Sequence, residues 1–287
     1  MKKILFLMAI AAVLQCFDAA KSHAQVLLGL PYEKIHTLNR KPVPFQYVRE
    51  ADVMWSKIIW RRIELSEKAN QHLYYPTQPQ DGRMSLIDVL LEGIHTQGLT
   101  AYNPDLTDEF SSIITEKEVH QRMGAQTKQQ EVETLDGEGS EVKIIDEPYH
   151  SEQVKAYMLK ELWFFDKQRS VLEVRIIGIC PLRLFAKEGE EDDSEGVPQQ
   201  KKAFWIYYPE ARKILSNAEC FNLQNDAARL SYEDIFEKRY FSSYIVQESN
   251  VYNNRMIAEY TTGQEALLEA EKIKETIFNF EQDLWEY

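Results

Sequence analysis

Two carboxylates near a predicted turn could be imagined as an acid–base pair. Asp166 and Glu173 flank a polar break between two β-rich runs, and paired carboxylates can act as general acid and base. Polar residues also belong at any hairpin turn, which explains both side chains without a reaction. We predict no catalytic residue, and keep as the alternative a hydrolase that uses Asp166, Glu173 and His150 between two lobes.

The sequence contains no other motif that is typical of a catalytic or cofactor-binding site. The histidines beyond position 24 show neither HExxH nor HxH spacing, and no P-loop or dinucleotide fingerprint occurs. Gly137–Ser140 is not a nucleophile elbow, because the order of its residues differs from GxSxG. We therefore predict a protein that is not an enzyme and has no cofactor and no metal.

The acidic run 188–195 offers a second alternative, a calcium-dependent binding module. Carboxylates suit calcium, but the run lacks the alternating ligands and placed glycine of an EF-hand loop. A solvated loop kept soluble by its charge is the simpler interpretation of the segment 187–202.

The N-terminus predicts export. Lys2 and Lys3 precede the apolar run Ile4–Leu14, and Ser22–Ala24 supplies small residues for a signal peptidase, so we expect cleavage after Ala24. The run is far shorter than the ~20 residues of a membrane-spanning helix. Cys16 follows the bulky Gln15, which argues against a lipoprotein signal.

Cleavage would leave a strongly acidic chain with two cysteines. The whole chain has 33 basic and 46 acidic side chains, a net charge of −13, so nucleic acid and anionic lipid are unfavourable ligands. Cys180 and Cys220 could form a disulfide in an oxidising compartment, or remain two buried thiols. Both alternatives stay open here.

The periodicity of apolar residues divides the chain into segments. We predict an α+β protein with an N-terminal helical lobe and a C-terminal lobe built on an antiparallel sheet, ending in a long amphipathic helix. The segments are a signal peptide (1–24), an extended lead-in (25–48), a mainly helical lobe (49–125), a polar connector (126–142), a β-rich lobe (143–262) and the terminal helix (263–287).

Three helices are predicted in the first lobe. Trp55, Ile58, Ile59 and Ile63 recur at helical intervals over 51–65. Ser85 and Gly98 can cap a helix over about 86–96. A capping box at 115–118 predicts a third, short helix, and Ser231 can begin another in the second lobe.

The terminal helix has the clearest periodicity of the chain. Its apolar side chains repeat at intervals of four and three residues, at Ala266, Ala270, Ile273, Ile277, Phe280 and Leu284. This heptad seam packs either on its own domain or in the groove of a neighbour.

Aromatic residues in the predicted strands could likewise be core or contacts with a partner. The candidate partner contacts are Trp163, Phe165, Trp205, Tyr207, Ile273, Ile277, Phe280 and Leu284.

Four strings of aromatic and charged residues in fixed order resemble one protein family. They are Val53–Lys57, Trp163–Gly178, Trp205–Arg212 and Tyr244–Tyr252. Together they make the chain similar to the GldN/PorN family over about residues 32–252.

That resemblance implies a function which composition and spacing do not. Proteins of this family are soluble periplasmic subunits of the type IX secretion and gliding machinery. The resemblance implies self-association in a large ring with an outer-membrane lipoprotein of the GldK/PorK type, and contact with the GldL/PorL and GldM/PorM motor. It implies peripheral association with the outer membrane through that lipoprotein, no direct membrane insertion, and no catalytic residue to transfer.

Overall fold

A computed structural model describes residues 39–105, 109–133, 140–147, 149–185, 199–222, 225 and 227–284, and these belong to one compact unit. The predicted signal peptide and the acidic run 188–195 lie outside the described residues. Among the helices that are described, none has the length and apolar composition needed to span a bilayer.

The described part of the chain contains six α-helices and eleven strands, together with four short 3-10 helices. The helices are α1 (Gln71–Tyr74), α2 (Leu86–Gln97), α3 (Glu116–Arg122), α4 (Tyr208–Asn217), α5 (Tyr232–Glu237) and α6 (Gln264–Asp283). The strands are β1 (Val53–Glu64), β2 (Ala101–Tyr102), β3 (Gln126–Glu133), β4 (Ser140–Glu147), β5 (Val154–Asp166), β6 (Val171–Phe185), β7 (Gln199–Lys202), β8 (Trp205–Tyr207), β9 (Glu219–Cys220), β10 (Leu230–Ser231) and β11 (Tyr244–Glu248).

An antiparallel sheet forms the centre of the fold. Its strand order is β11-β1-β5-β6-β8-β2, and β7 also pairs with β6. The long β5–β6 hairpin confirms the hairpin predicted from Trp163–Gly178. The predicted α+β class, the antiparallel sheet and the C-terminal helix are therefore all confirmed.

Side chains on both faces of the sheet are buried. Ile63, Leu159 and Ile179 belong to the main core, which includes residues of α2, α4 and α5. Trp60 and Cys180 belong to a second cluster. Since neighbouring side chains along a strand point to opposite faces, central strands must be apolar on both sides.

The predicted helix over 51–65 is wrong, because this segment forms β1. Ile59 and Ile63 are buried on one face, while Trp60 is buried on the other. A strand that is apolar on both faces loses the alternation that identifies a strand. Its apolar residues then fall by chance at helical intervals.

The predicted connector 126–142 is also wrong in part, because β3 and β4 pair as a hairpin over this segment. The segment 126–140 is mostly polar, so it lacks the alternation of apolar and polar residues that predicts a strand. The lobe boundary placed there separates β1 and β2 from the other strands of the sheet, yet all of them belong to one sheet.

The helix ends predicted from capping residues are confirmed. Ser85 Oγ accepts a hydrogen bond from the backbone N–H of Asp88, and Gly98 ends α2 in the left-handed conformation at φ 69°. Thr115 and Ser231 each form a capping box at the start of α3 and α5. Such caps satisfy backbone donors that would otherwise lack a partner.

The lead-in segment contacts α4 and α5. The Arg40 guanidinium donates to Asp234 Oδ2 at 2.7 Å, and the Arg40 backbone N–H donates to Asn217 Oδ1 at 2.8 Å. The Phe45 ring lies 4.0 Å from the guanidinium carbon of Arg212. These contacts hold an extended segment, rich in proline, against the helical side of the fold.

Both cysteines of the described chain are buried thiols that are not joined in a disulfide. Cys180 lies in the cluster around Trp60, whereas Cys220 lies in the main core and donates to the backbone oxygen of His72. Of the two alternatives left open by the sequence, the structure has two separate thiols and no Cys180–Cys220 disulfide.

Candidate interaction surface on the C-terminal helix

The heptad seam of α6 packs on the chain's own sheet. Ala270, Ile273 and Ile277 are buried against a cluster that includes Ile59 of β1. Burying an isoleucine side chain contributes about 1.5–3 kcal/mol, so the seam provides most of the stability of this helix. Ile273 and Ile277 are thus core residues of the monomer.

Aromatic stacking extends the contact toward the end of α6. The rings of Trp55 and Phe280 have centroids 5.0 Å apart and are tilted by 31°. Aromatic pairs at such a distance contribute to stability beyond the area that they bury. Leu284, the last residue of the predicted seam, is partly buried.

A second apolar stripe of α6 faces solvent. Leu267, Leu268 and Phe278 have exposed fractions of 57%, 69% and 57%. Leu267 and Phe278 are 11 residues apart, which is close to three helical turns, so they lie on one line along the helix. Leu268 lies about 100° around the helix from Leu267 and widens the exposed apolar surface at that end. Exposed leucine and phenylalanine concentrated on one helix favour a contact surface.

A cleft beside this stripe separates α6 from the β5–β6 hairpin. Its apolar lining comes from Trp163, Leu172, Ile277 and Phe278. The charged lining consists of Glu271, Glu275, Glu281 and Lys274, the last paired with Glu271 at 3.0 Å. Three carboxylates against one ammonium give the rim a negative charge. An apolar floor with an acidic rim suits a partner segment that has apolar side chains flanked by basic ones.

A hydrogen bond to a neighbouring carboxylate fixes the position of Trp163 in this cleft. Its indole Nε1–H donates to Glu161 Oε2 at 2.9 Å, and Glu161 is fully buried. Arg239 neutralises that carboxylate, with Nη2 2.9 Å from Oε1. Its guanidinium carbon also lies 5.8 Å from the centre of the Trp163 ring. A buried charge needs such a partner.

The remaining aromatic candidates divide between core and surface. Phe165 and Trp205 are 6% and 1% exposed and belong to the interior of the sheet. Tyr207 is partly exposed and packs edge-on against Phe110, with centroids 5.5 Å apart. Only the partly exposed members of the predicted set can meet a partner without a change in the fold. The stripe Leu267–Leu268–Phe278 is not among the predicted contact residues, although its apolar residues are readable in the sequence beside the seam.

The three residues of the hydrolase alternative do not converge. Asp166 Oδ1 accepts from the backbone N–H of Gln168 at 2.9 Å, and its Oδ2 accepts from Arg169 Nε at 2.7 Å. The hydrogen bond from Arg169 lowers the pKa of Asp166, whereas a general acid needs a raised one. Arg169 also bonds to Glu173. His150 precedes β5, while Asp166 ends it, roughly 40 Å away along a strand of this length.

The described side chains contain no group of three or more His, Cys, Asp or Glu arranged to hold a metal ion. The acidic run 188–195, on which the calcium alternative rests, lies outside the described residues. That alternative stays a prediction.

Comparison with known proteins gives one family. The model of the family described as gliding motility associated protein GldN matches residues 48–286, from just before β1 to just beyond α6. No curated protein matches the chain.

Proposed function

Because the chain belongs to the GldN family of gliding motility associated proteins, we propose that it is a non-enzymatic structural subunit of a periplasmic ring required for type IX protein secretion. The family places the chain in the gliding and type IX secretion machinery. The ring and its architecture are part of the proposal.

The proposed partners follow from the resemblance and from the N-terminal sequence. The ring forms by self-association together with a GldK/PorK-type outer-membrane lipoprotein, and contacts the GldM/PorM-type motor component. The predicted signal peptide supports a periplasmic location. Gln15 before Cys16 argues against lipidation of this chain, so the lipoprotein partner would hold it at the outer membrane.

The observation that carries the proposal is the exposed apolar stripe of α6 beside the acidic cleft. Leu268 and Phe278 are among the exposed large apolar side chains of the described chain, and Phe278 also lines the cleft, whose floor is aromatic. Buried aromatic anchors surrounded by polar residues dominate the binding energy of protein interfaces. A role in assembly also fits Asp166 and Glu173, whose carboxylates are bound by arginines at a turn.

The experiment is recovery of the assembled complex from cells that contain the lipoprotein partner. We expect Leu268→Asp together with Phe278→Asp to release the protein into the soluble fraction and to reduce type IX secretion, because carboxylates oppose burial in an apolar contact. Ile113→Asp is the matched control, since Ile113 is equally exposed, at 69%, but lies beside β2.

Two results would contradict parts of this proposal. Wild-type protein that remains a soluble monomer in the presence of the lipoprotein would argue against a ring subunit altogether. Intact assembly of the double variant would leave the ring in place but show that α6 is not its contact surface.

A further inference from the structure

A cleft with a surplus of positive charge lies on elements other than those of the α6 surface. It is lined by residues of α3, β6 and β7 and of the neighbouring segments: Asn103, Ile114, Glu118, Gln121, Arg122, Arg183, Lys201 and Lys202. Four of these side chains are cationic and one is anionic. In a chain with a net charge of −13, such a concentration is unusual.

Neutral groups hold the central cation of the cleft in place. Arg183 Nε donates to Gln153 Oε1 at 2.6 Å, and its Nη1 donates to the backbone oxygen of Arg122 at 3.1 Å. The guanidinium also lies close to Gly124, where an added Cβ would come within 2.2 Å of Nη2. Among the described residues no carboxylate pairs with Arg183, and burial lowers its pKa. The charge is therefore fixed in position and left without compensation.

Lys201 adds a second cation at the same place. It stands directly opposite Arg183 in the β6–β7 register, so both side chains leave the same face of the sheet. Lys201 is exposed and forms no ion pair with a described residue.

The carboxylates near the cleft already have partners. Glu118 accepts the backbone N–H of Thr115 at 2.8 Å, and Asp105 accepts from Arg122 Nη2 at 2.8 Å. The other nitrogen of the same guanidinium, Arg122 Nη1, is buried and has no hydrogen-bond acceptor among the described residues. Arg183 and Lys201 have no carboxylate partner among the described residues, so these two neighbouring cations are available to a ligand.

We propose that this cleft binds a phosphate group. A dianionic phosphate matches the two charges of Arg183 and Lys201, whereas a single carboxylate would neutralise only one of them. The planar guanidinium of Arg183 and the mobile ammonium of Lys201 are the donors that proteins use for phosphate oxygens. A soluble phosphorylated compound and a lipid headgroup share this chemistry. The proposal does not depend on the ring or on its partners.

Calorimetric titration of the signal-peptide-free chain with inorganic phosphate tests the proposal, with chloride at equal ionic strength as the reference. We expect saturable binding that weakens about tenfold in Lys201→Gln and in Arg183→Gln, the loss of one charge-assisted hydrogen bond. Lys201 is exposed, so its variant stays informative even if Arg183→Gln folds poorly. Lys213→Gln is the control, because Lys213 is an exposed lysine on α4 and should bind as wild type.

Vesicles separate the two sources of phosphate. Binding to phosphatidylglycerol vesicles but not to phosphatidylcholine vesicles, abolished by Lys201→Gln, would assign the site to a lipid headgroup. Binding of inorganic phosphate without vesicle binding would assign it to a soluble ligand. Absence of saturable phosphate binding in both formats, or binding equally strong in Lys201→Gln, would overturn the proposal. So would a poly-glutamate peptide that binds through Lys201 while phosphate does not.

Discussion

Trp163 donates its indole N–H to the carboxylate of Glu161, two residues earlier on the same strand, at 2.9 Å. Side chains at positions i and i+2 of a strand share a face, so the pair lies side by side under α6. The hydrogen bond orients the tryptophan that lines the acidic cleft. The geometry of the candidate contact surface therefore depends on a fully buried carboxylate.

Replacing that carboxylate should destabilise the fold. Glu161→Gln keeps an acceptor for Trp163 but leaves Arg239 without its counter-charge, and we expect the free energy of unfolding to fall by about 2–3 kcal/mol. Urea denaturation followed by tryptophan fluorescence measures the change. Glu265→Gln, at an exposed glutamate in the first turn of α6, should lose only about 0.5 kcal/mol from its interaction with the helix dipole. Equal stability of the two variants would mean that the Glu161–Arg239 pair contributes nothing.

The two sides of α6 should respond differently to truncation. Ile277→Ala removes buried methyl groups from the seam and should cost about 2–4 kcal/mol of unfolding free energy. Leu268→Ala, on the exposed stripe, should change stability by about 0.5 kcal/mol or less. Thermal unfolding of the purified chain compares them directly. Similar losses at both positions would show that α6 buries a different face.

The contact between the lead-in and α5 should depend on pH. Burial by itself would raise the pKa of Asp234, but the hydrogen bonds from Arg40 and Ser231 outweigh it and hold the pKa well below its usual value. A carboxyl group with a depressed pKa stabilises the fold above the pKa of the unfolded state, about 3.9, and this stability is lost as the pH falls further.

Arg40→Gln should therefore lower the unfolding free energy by about 0.5–1 kcal/mol at pH 7, a modest value because the pair is partly exposed. The difference from wild type should persist down to about pH 4 and shrink below it. Denaturation curves over this pH range provide the measurement. Arg49→Gln, which breaks a local pair with Asp52, serves as the comparison. A difference that grows on acidification would refute this role of Arg40.

A glycine in β6 gives a steric prediction. A Cβ at Gly178 would lie 2.5 Å from Phe110 Cζ, a distance that forces the ring out of its contacts with Tyr207 and Trp205. We expect Gly178→Ala to cost about 1–3 kcal/mol. In a Phe110→Ala background the same substitution should cost much less, which a double-mutant cycle of unfolding free energies would detect. If the losses of the two single variants simply add in the double variant, the cost of Gly178→Ala does not come from a clash with Phe110.

Local signals in the sequence predicted local structure well. Ser85, Thr115 and Ser231 act through hydrogen bonds to residues three positions away, so a short window of sequence contains the whole interaction. Trp60 illustrates the opposite case. It is buried on the face of β1 opposite Ile59. That arrangement depends on strands that are distant in sequence, so the periodicity of residues 51–65 alone could not predict it.

The two candidate sites also differ in whether they depend on local or on long-range contacts. The α6 seam was visible as a heptad, whereas the basic cleft joins α3, β6 and β7, whose cations lie up to 80 residues apart. Arg183 and Lys201 become neighbours only through strand register. Sequence spacing could not have brought them together.

The burial of the two thiols makes this protein a convenient subject for chemical mapping. Burial raises the pKa of Cys220 to about 12, so almost none of it is the reactive thiolate at neutral pH, and Cys180 is just as inaccessible. Cys16 falls within the segment that we expect to be removed. A single cysteine introduced on the outer side of α6 would then be the site that a maleimide or a thiol crosslinker modifies. Such a labelling or crosslinking experiment therefore does not require replacement of Cys180 and Cys220 beforehand.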